Sequence, residues 1–422
     1  VWNNYTAEEK QELFQLNEDY KAFLSQCKTE RESTEEIVRQ AELKGYRNLQ
    51  DIIKNGESLK AGDKVYATCM KKAVAMFNIG SRNLEEGMSI LGAHIDTCRL
   101  DLKQKPLYEA DGMAYFDTHY YGGIKKYQWV TLPLALHGVV VKKDGTVVKI
   151  VVGENEDDPV FCVTDLLIHL SKKQMEKKAT VVVEGEDLDI LIGSHPLEGE
   201  EKDAVKAAIL KLLEAEYGIA EDDFLSAELT MVPAGKARDL GLDRSMVLAY
   251  GHDDRVCAYT SLAAMLEVDK VERTSCCLLV DKEEIGSVGA SGMQSRFFEN
   301  MVAELLHALG GYNPLSSRRC LANSCMLSSD VSAGYDPAYG EAFEKKNAAY
   351  LGRGIVLNKF TGARGKSGSN DANAEYVARV RKIFDDHDVA FQTAELGKVD
   401  YGGGGTIAYI AALYGMEVVD SG

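Results

Sequence analysis

Hydrophobic positions Leu13, Leu16, Tyr20, Phe23 and Leu24 recur at close to helical spacing. Thr6 with Glu9 three residues on makes a capping box, so the chain is predicted to open on a helix. A second helix is expected next, capped by Ser33 or Thr34 and stopped by Gly45. The period then shortens: β-prone runs at residues 64–68, 73–79 and 89–94 predict strands, the last ending at His94. Farther along, residues 256–266 read as helix, 276–280 as strand, 296–309 as helix, 324–327 as strand and 375–385 as helix. This alternation predicts an α/β fold, with a central, mostly parallel sheet flanked by helices.

Between residues 103 and 235 the texture differs. Runs at 136–141 and 146–152 flank Asp144-Gly145, a hairpin-turn dipeptide. Residues 179–183, 188–192 and 228–232 are expected to add strands, and 203–217 a helix. Residues 103–235 are therefore read as a β-rich domain inserted into a discontinuous α/β domain made of 1–102 and 236–422. No internal repeat is detectable.

Composition narrows the classes. A chain of 422 residues exceeds one ordinary compact core, and 45% hydrophobic with 27% charged residues and only seven prolines is the make-up of a folded globular protein. The formal charge of −18, without any Lys/Arg run, argues against nucleic acid and anionic membranes as partners. No stretch approaches the ~20 apolar residues of a spanning helix. Nine scattered cysteines, an odd number, do not suggest a disulfide framework, and the first residues lack a signal-peptide pattern, so a cytoplasmic protein is expected.

Chemistry-bearing residues gather at predicted strand ends. In His94-Ile95-Asp96 the two polar residues share a strand face, so Asp96 can orient the His94 ring; alone, such a histidine is more often structural. His252-Asp253-Asp254-Arg255 precedes a helix, where helix capping by itself accounts for one aspartate. Glu283 and Glu284 directly follow a buried strand, and two adjacent carboxylates there repel unless a cation or shared proton relieves them. Asp330 ends another strand; singly it is a turn residue. Together these sites offer the oxygen and imidazole donors, without thiolate, that a two-metal centre requires.

At this point the chain resembles the aspartyl aminopeptidase family of two-metal zinc peptidases, as a bacterial-type member. The resemblance rests on His94-Ile95-Asp96 continuing into Arg99-Leu100-Asp101-Leu102-Lys103 and Pro106-Leu107-Tyr108-Glu109. It extends through Leu166-Leu167-Ile168-His169-Leu170, Asp281-Lys282-Glu283-Glu284-Ile285-Gly286-Ser287, Ser328-Ser329-Asp330 and Gly402-Gly403-Gly404-Gly405-Thr406-Ile407, in order along nearly the whole chain. It implies that His94 and Asp330 bind one metal, Glu284 the other, and Asp253 bridges both. Asp254 stands where relatives often have Asn, so the bridging role lies between the two aspartates. Glu283 would be the general base, with Asp96 beside His94. His169, Lys366 and Gly404 fall at substrate-contacting segments; the apolar setting of His169 reads equally as that of a buried structural histidine, and a Gly/Ser-flanked lysine such as Lys366 is usually a solvated loop residue.

The family closes its metal site with a histidine shortly after a strand like that of residues 416–420, and this sequence ends at Gly422 without it, which is expected to reflect a shortened copy. Zinc is the implied metal, with manganese or cobalt also suited. The implied activity is removal of the N-terminal residue from peptides with a free amine. The inserted domain would act as dimerisation module and lid in a homo-oligomer, a dodecamer built from dimers. A selectivity for N-terminal Asp and Glu would rest on a basic pocket around Lys366, against a broader preference. The alternatives are a two-metal deacylase or carboxypeptidase, and a catalytically silent assembly subunit.

Overall fold

A computed structural model describes residues 2–422. Two compact units emerge: residues up to Asp96 together with Gly251–Gly422, and Thr97–Tyr250. The first is a mixed α/β unit built on a nine-stranded sheet. Its order is Arg47–Asn48, Lys64–Cys69, Ala73–Asn78, Ser275–Val280, Ser89–His94, Cys325–Ser329, Glu417–Ser421, Ile355–Asn358 and Phe391–Thr393. The central four strands run parallel, whereas Ala73–Asn78 pairs antiparallel on one side and Ile355–Asn358 on the other. The sheet is thus more mixed than the expected mostly parallel one. Hydrophobic periodicity reports which face a residue takes but not which way a strand runs.

The central strands are apolar on both faces, as sheets covered by helices on each side demand. Residues Cys276, Leu278, Ile90 and Met326 are buried against Phe298, Val302 and Leu305 of helix Phe297–Ala308. The first helix runs Ala7–Gln26 with the predicted capping box at Thr6 and Glu9. The second starts earlier than expected. Thr29, not Ser33 or Thr34, caps Glu30–Leu43, because Glu32 sits three residues on and closes a buried capping box with it, while Ser33 and Thr34 are inside the helix.

Residues 97–250 carry a seven-stranded, wholly antiparallel sheet, in the order Val147–Val152, Leu134–Val141, Ala227–Pro233, Arg99–Ala110, Met113–Tyr121, Ile190–Gly193 and Cys162–Val163. Leu100, Phe116, Leu134, Ile150 and Met231 fill its core. The hairpin at Asp144-Gly145 and helix Ala204–Tyr217 form as predicted. The strand expected at 179–183 does not: Cys162–Val163 occupies the sheet edge beside Ile190–Gly193, and residues 179–183 form turns that still bury Val183. Among the described residues no helix is long and apolar enough to cross a membrane.

Candidate metal centre

Three parallel neighbours, Ser275–Val280, Ser89–His94 and Cys325–Ser329, end at the same edge of the sheet, so whatever follows them is brought together. His94 is the last residue of its strand. Glu283 and Glu284 lie in the short turn Glu283–Ile285 beyond Val280, and Asp330 directly follows Ser329. Asp253 comes from the first turn of helix His252–Glu267. Gly251 takes the cap position without a side-chain bond, and Asp253 and Asp254 depart from helical backbone angles, so neither serves as the cap. The loop is anchored from behind. The Tyr20 hydroxyl lies 2.8 Å from His252 Nδ1, and the buried Arg255 guanidinium donates to the Lys28 carbonyl at 2.9 Å.

His94 is buried, and its two ring nitrogens have separate tasks. Nδ1 donates to the Asp96 carbonyl oxygen at 3.0 Å, with Asp96 Oδ1 at 3.2 Å. Nε2 faces the acids: Asp253 Oδ1 at 3.1 Å, Glu283 Oε2 at 3.8 Å and Asp330 Oδ1 at 4.0 Å. Asp96 does more than the sequence suggested. Its fully buried carboxylate also accepts from the backbone N–H of Glu283 at 3.1 Å and of Glu284 at 3.2 Å, tying the histidine strand to the glutamate turn. Lys282 enters that turn at φ +70°, a left-handed conformation unusual for a side-chain-bearing residue.

Two overlapping triplets, His94-Glu283-Asp330 and Asp253-Asp254-Asp330, hold ligand atoms within 4.8 Å of one another. So many acids in one place cannot all ionise cheaply. Burial, reinforced by Asp96, Glu284 and Asp253 against the opposing pull of His94, pushes Glu283 up to about 7. Burial pushes Asp254 up to about 8, and burial with the neighbouring Asp254, Asp253 and Glu283 raises Asp330 well above the carboxylate range. For His94, burial disfavours the imidazolium, but its bonds to Asp253 and Asp96 outweigh that and hold it well above the ordinary histidine value. Oxygen and imidazole donors, no thiolate, and acidic groups crowded into neutrality suit borderline-to-hard divalent cations, which would relieve the repulsion that protons otherwise must.

A cavity of about 300 Å³ opens beside these groups, lined by Asp253, Glu283, Asp330, Gly404 and Thr406 among others. Gly404 is therefore on the cleft wall. Its neighbour Gly403 is the position where glycine is obligatory, at φ +113° with the Gly362 carbonyl where a side chain would stand. Three expected residues are not gathered here. The Glu284 carboxylate belongs to neither triplet, although its backbone is fixed beside Glu283. Lys366 is not on the cavity wall; its ammonium pairs with Asp371 at 3.0 Å and lies 4.0 Å over the Phe360 ring. His169 is in an exposed turn of the unit 97–250, not buried as a structural histidine would be.

The sequence reading passed over four residues of the cleft wall: Ser332, Asn358, Thr361 and Asp420. An aspartate closing the apolar run Val418-Val419 was the one signal for Asp420. A larger groove of about 420 Å³ lies at the opposite strand ends, between helices His252–Glu267 and Ala374–Asp386, and its lining includes no carboxylate or imidazole.

Comparison with known proteins gives matches along nearly the whole chain. The sequence profile described as aminopeptidase I zinc metalloprotease (M18) matches residues 23–422. A probable M18 family aminopeptidase 1 of Clostridium acetobutylicum is 60% identical over 100% of this chain and 91% of its own length. The crystal structure of aminopeptidase I from that organism superposes with a TM-score of 0.93 at 58% identity, covering 100% of this chain and 91% of the other. An M18 family aminopeptidase structure from Thermotoga maritima does so with a TM-score of 0.95 at 43% identity, with the same coverage.

Proposed function

The chain belongs to the M18 family of zinc metalloproteases and is an aminopeptidase, and from that premise we propose that His94, Asp253, Glu284 and Asp330 hold two divalent ions, zinc by preference, with Glu283 as the general base. The observation that carries this reading is the convergence of Asp253, Glu283 and Asp330 on His94 Nε2 at the ends of three parallel strands. Bound there, two ions would polarise the scissile carbonyl and acidify a water enough to make it a nucleophile near neutral pH.

The protein's own groups do the rest. Asp96 holds the His94 ring with Nε2 turned to the cleft and fixes the turn that carries Glu283. Glu283, whose carboxyl is pushed toward neutrality, takes the proton of the attacking water and returns it to the leaving amine. Between the two aspartates, Asp253 is the one on the cavity wall and half exposed, whereas Asp254 is fully buried beneath it, which favours Asp253 as the bridge. The surrounding carboxylates favour a substrate that presents a free, positively charged α-amine.

The unit of residues 97–250 takes the dimerisation and lid role in a homo-oligomer, a dodecamer built from dimers. The exposed apolar run Leu166, Leu167, Ile168 and Leu170 supports this, since such a patch around His169 is what a second copy would cover. None of the nine cysteines is joined in a disulfide, which supports a reducing, cytoplasmic setting. The test is chelation. Metal-stripped protein should lose hydrolysis of free-amine peptides and recover it when two zinc equivalents per chain are restored, while N-acetylated peptides stay intact throughout. Recovery at one equivalent would remove the two-ion reading, and cleavage of the blocked peptides the free-amine requirement.

A further inference from the structure

The groove of about 420 Å³ at the starts of the parallel strands owes its space to the residues of its floor. Ser89 stands in register with Ser275 on one side and Cys325 on the other, so three small side chains share one face of the sheet at the same rung. Two residues farther on, that face carries Leu91 and Leu327, again in register. Met265 of helix His252–Glu267, with Val380 and Phe384 of helix Ala374–Asp386, supplies apolar walls. Small side chains at the first rung leave unfilled a space between the helices that larger ones would have packed.

Beside this floor is a cation without a counter-charge. Arg273, two residues before Ser275, is half-buried and lines the groove. Its Nη2 donates to the Asn323 carbonyl, its Nε is buried with no hydrogen-bond partner, and no carboxylate pairs with it among the described residues. Acids close by are engaged elsewhere: Glu272 holds Arg82 at 2.6 Å, and Glu417 lies 3.5 Å from the exposed Arg379, which also lines the groove. A guanidinium only donates, so the group Arg273 lacks is an anion. One unshared cation matches a single negative charge, which favours a carboxylate over a doubly charged phosphate monoester. The rest of the lining is largely apolar, so the body of that anion gains from burial only if it is hydrocarbon.

We propose that this groove binds a medium-chain aliphatic carboxylate, of roughly eight carbons for a pocket at the smaller end of the small-molecule range. Its carboxylate pairs with Arg273 beside the Ser89 and Ser275 hydroxyls, and its chain lies over Leu91 and Leu327 between the two helices. The assignment stands independently of the peptidase mechanism.

Calorimetry on the zinc-loaded wild type compares butanoate, hexanoate, octanoate and octanol. Each added methylene should tighten carboxylate binding by about fourfold, and octanol should bind at least about tenfold more weakly than octanoate. Arg273→Met should bring octanoate down to the level of octanol without moving the alcohol, and Arg273→Lys should restore part of the difference. Octanoate and octanol bound alike by the wild type, affinity indifferent to chain length, or octanoate binding unchanged in Arg273→Met would overturn the assignment. Diffraction from wild-type crystals soaked with ω-bromooctanoate tests the position without any variant. The bromine should lie between Leu327 and Val380; bromine found only in the metal cleft, or nowhere, would overturn the groove.

Discussion

Asp96 shows how one carboxylate sets several neighbours at once. Its Oδ1 lies 3.2 Å from His94 Nδ1, and the same carboxylate receives two backbone donors from the glutamate turn, so its loss is felt by groups from two strands. Replacing Asp96 with Asn should weaken zinc binding by about 10- to 100-fold, read by competition with a chromogenic chelator. The adjacent glutamates separate under the same assay. Glu283→Gln should keep the metal while kcat falls by about 10²- to 10⁴-fold, whereas Glu284→Gln should lose metal. Metal loss in the first and retention in the second would exchange their roles. At this scale the sequence was informative where chemistry sits at element ends: His94, Asp96, Glu283 and Asp330 stand at or just beyond apolar runs, and Asp253 in the turn that opens a predicted helix. Asn358 and Asp420 were not legible, because their place on the cleft wall depends on a cross-strand pairing between residues far apart in the chain.

Secondary elements obey local rules more closely than they obey the nearest plausible signal. The second helix could be foreseen from its pattern, but Ser33 and Thr34 stood closer to the apolar positions than Thr29. The decisive partner was Glu32, whose carboxylate returns to the Thr29 N–H at 3.0 Å. Thr29→Ala should cost about 1 kcal/mol, seen as a lower urea midpoint without a change in slope, while Ser33→Ala should cost less. Most strands and helices were likewise legible from periodicity. Two features were not, for physical reasons: strand direction leaves no trace in alternation, so the antiparallel flanks of the sheet went unseen, and a β-prone run such as 179–183 becomes a strand only if a sheet edge is free to receive it.

Across the whole molecule, acidity is spread over the surface but put to use at one sheet edge, where the fold gathers acids that a net charge of −18 would otherwise keep apart. The exposed run around Ile168, itself 71% exposed, belongs to the assembly in this account. Ile168→Asp should therefore shift the protein toward smaller species in light scattering, and an unchanged mass would free that patch of the role. The central claim, that His94, Asp253, Glu284 and Asp330 surround a pair of cations beside Glu283, is tested most directly by anomalous diffraction at the zinc edge from crystals of the zinc-loaded protein. The account predicts two peaks per chain, about 3.5–4 Å apart, with Asp253 between them. A single peak, or peaks away from His94 and Asp330, would contradict it.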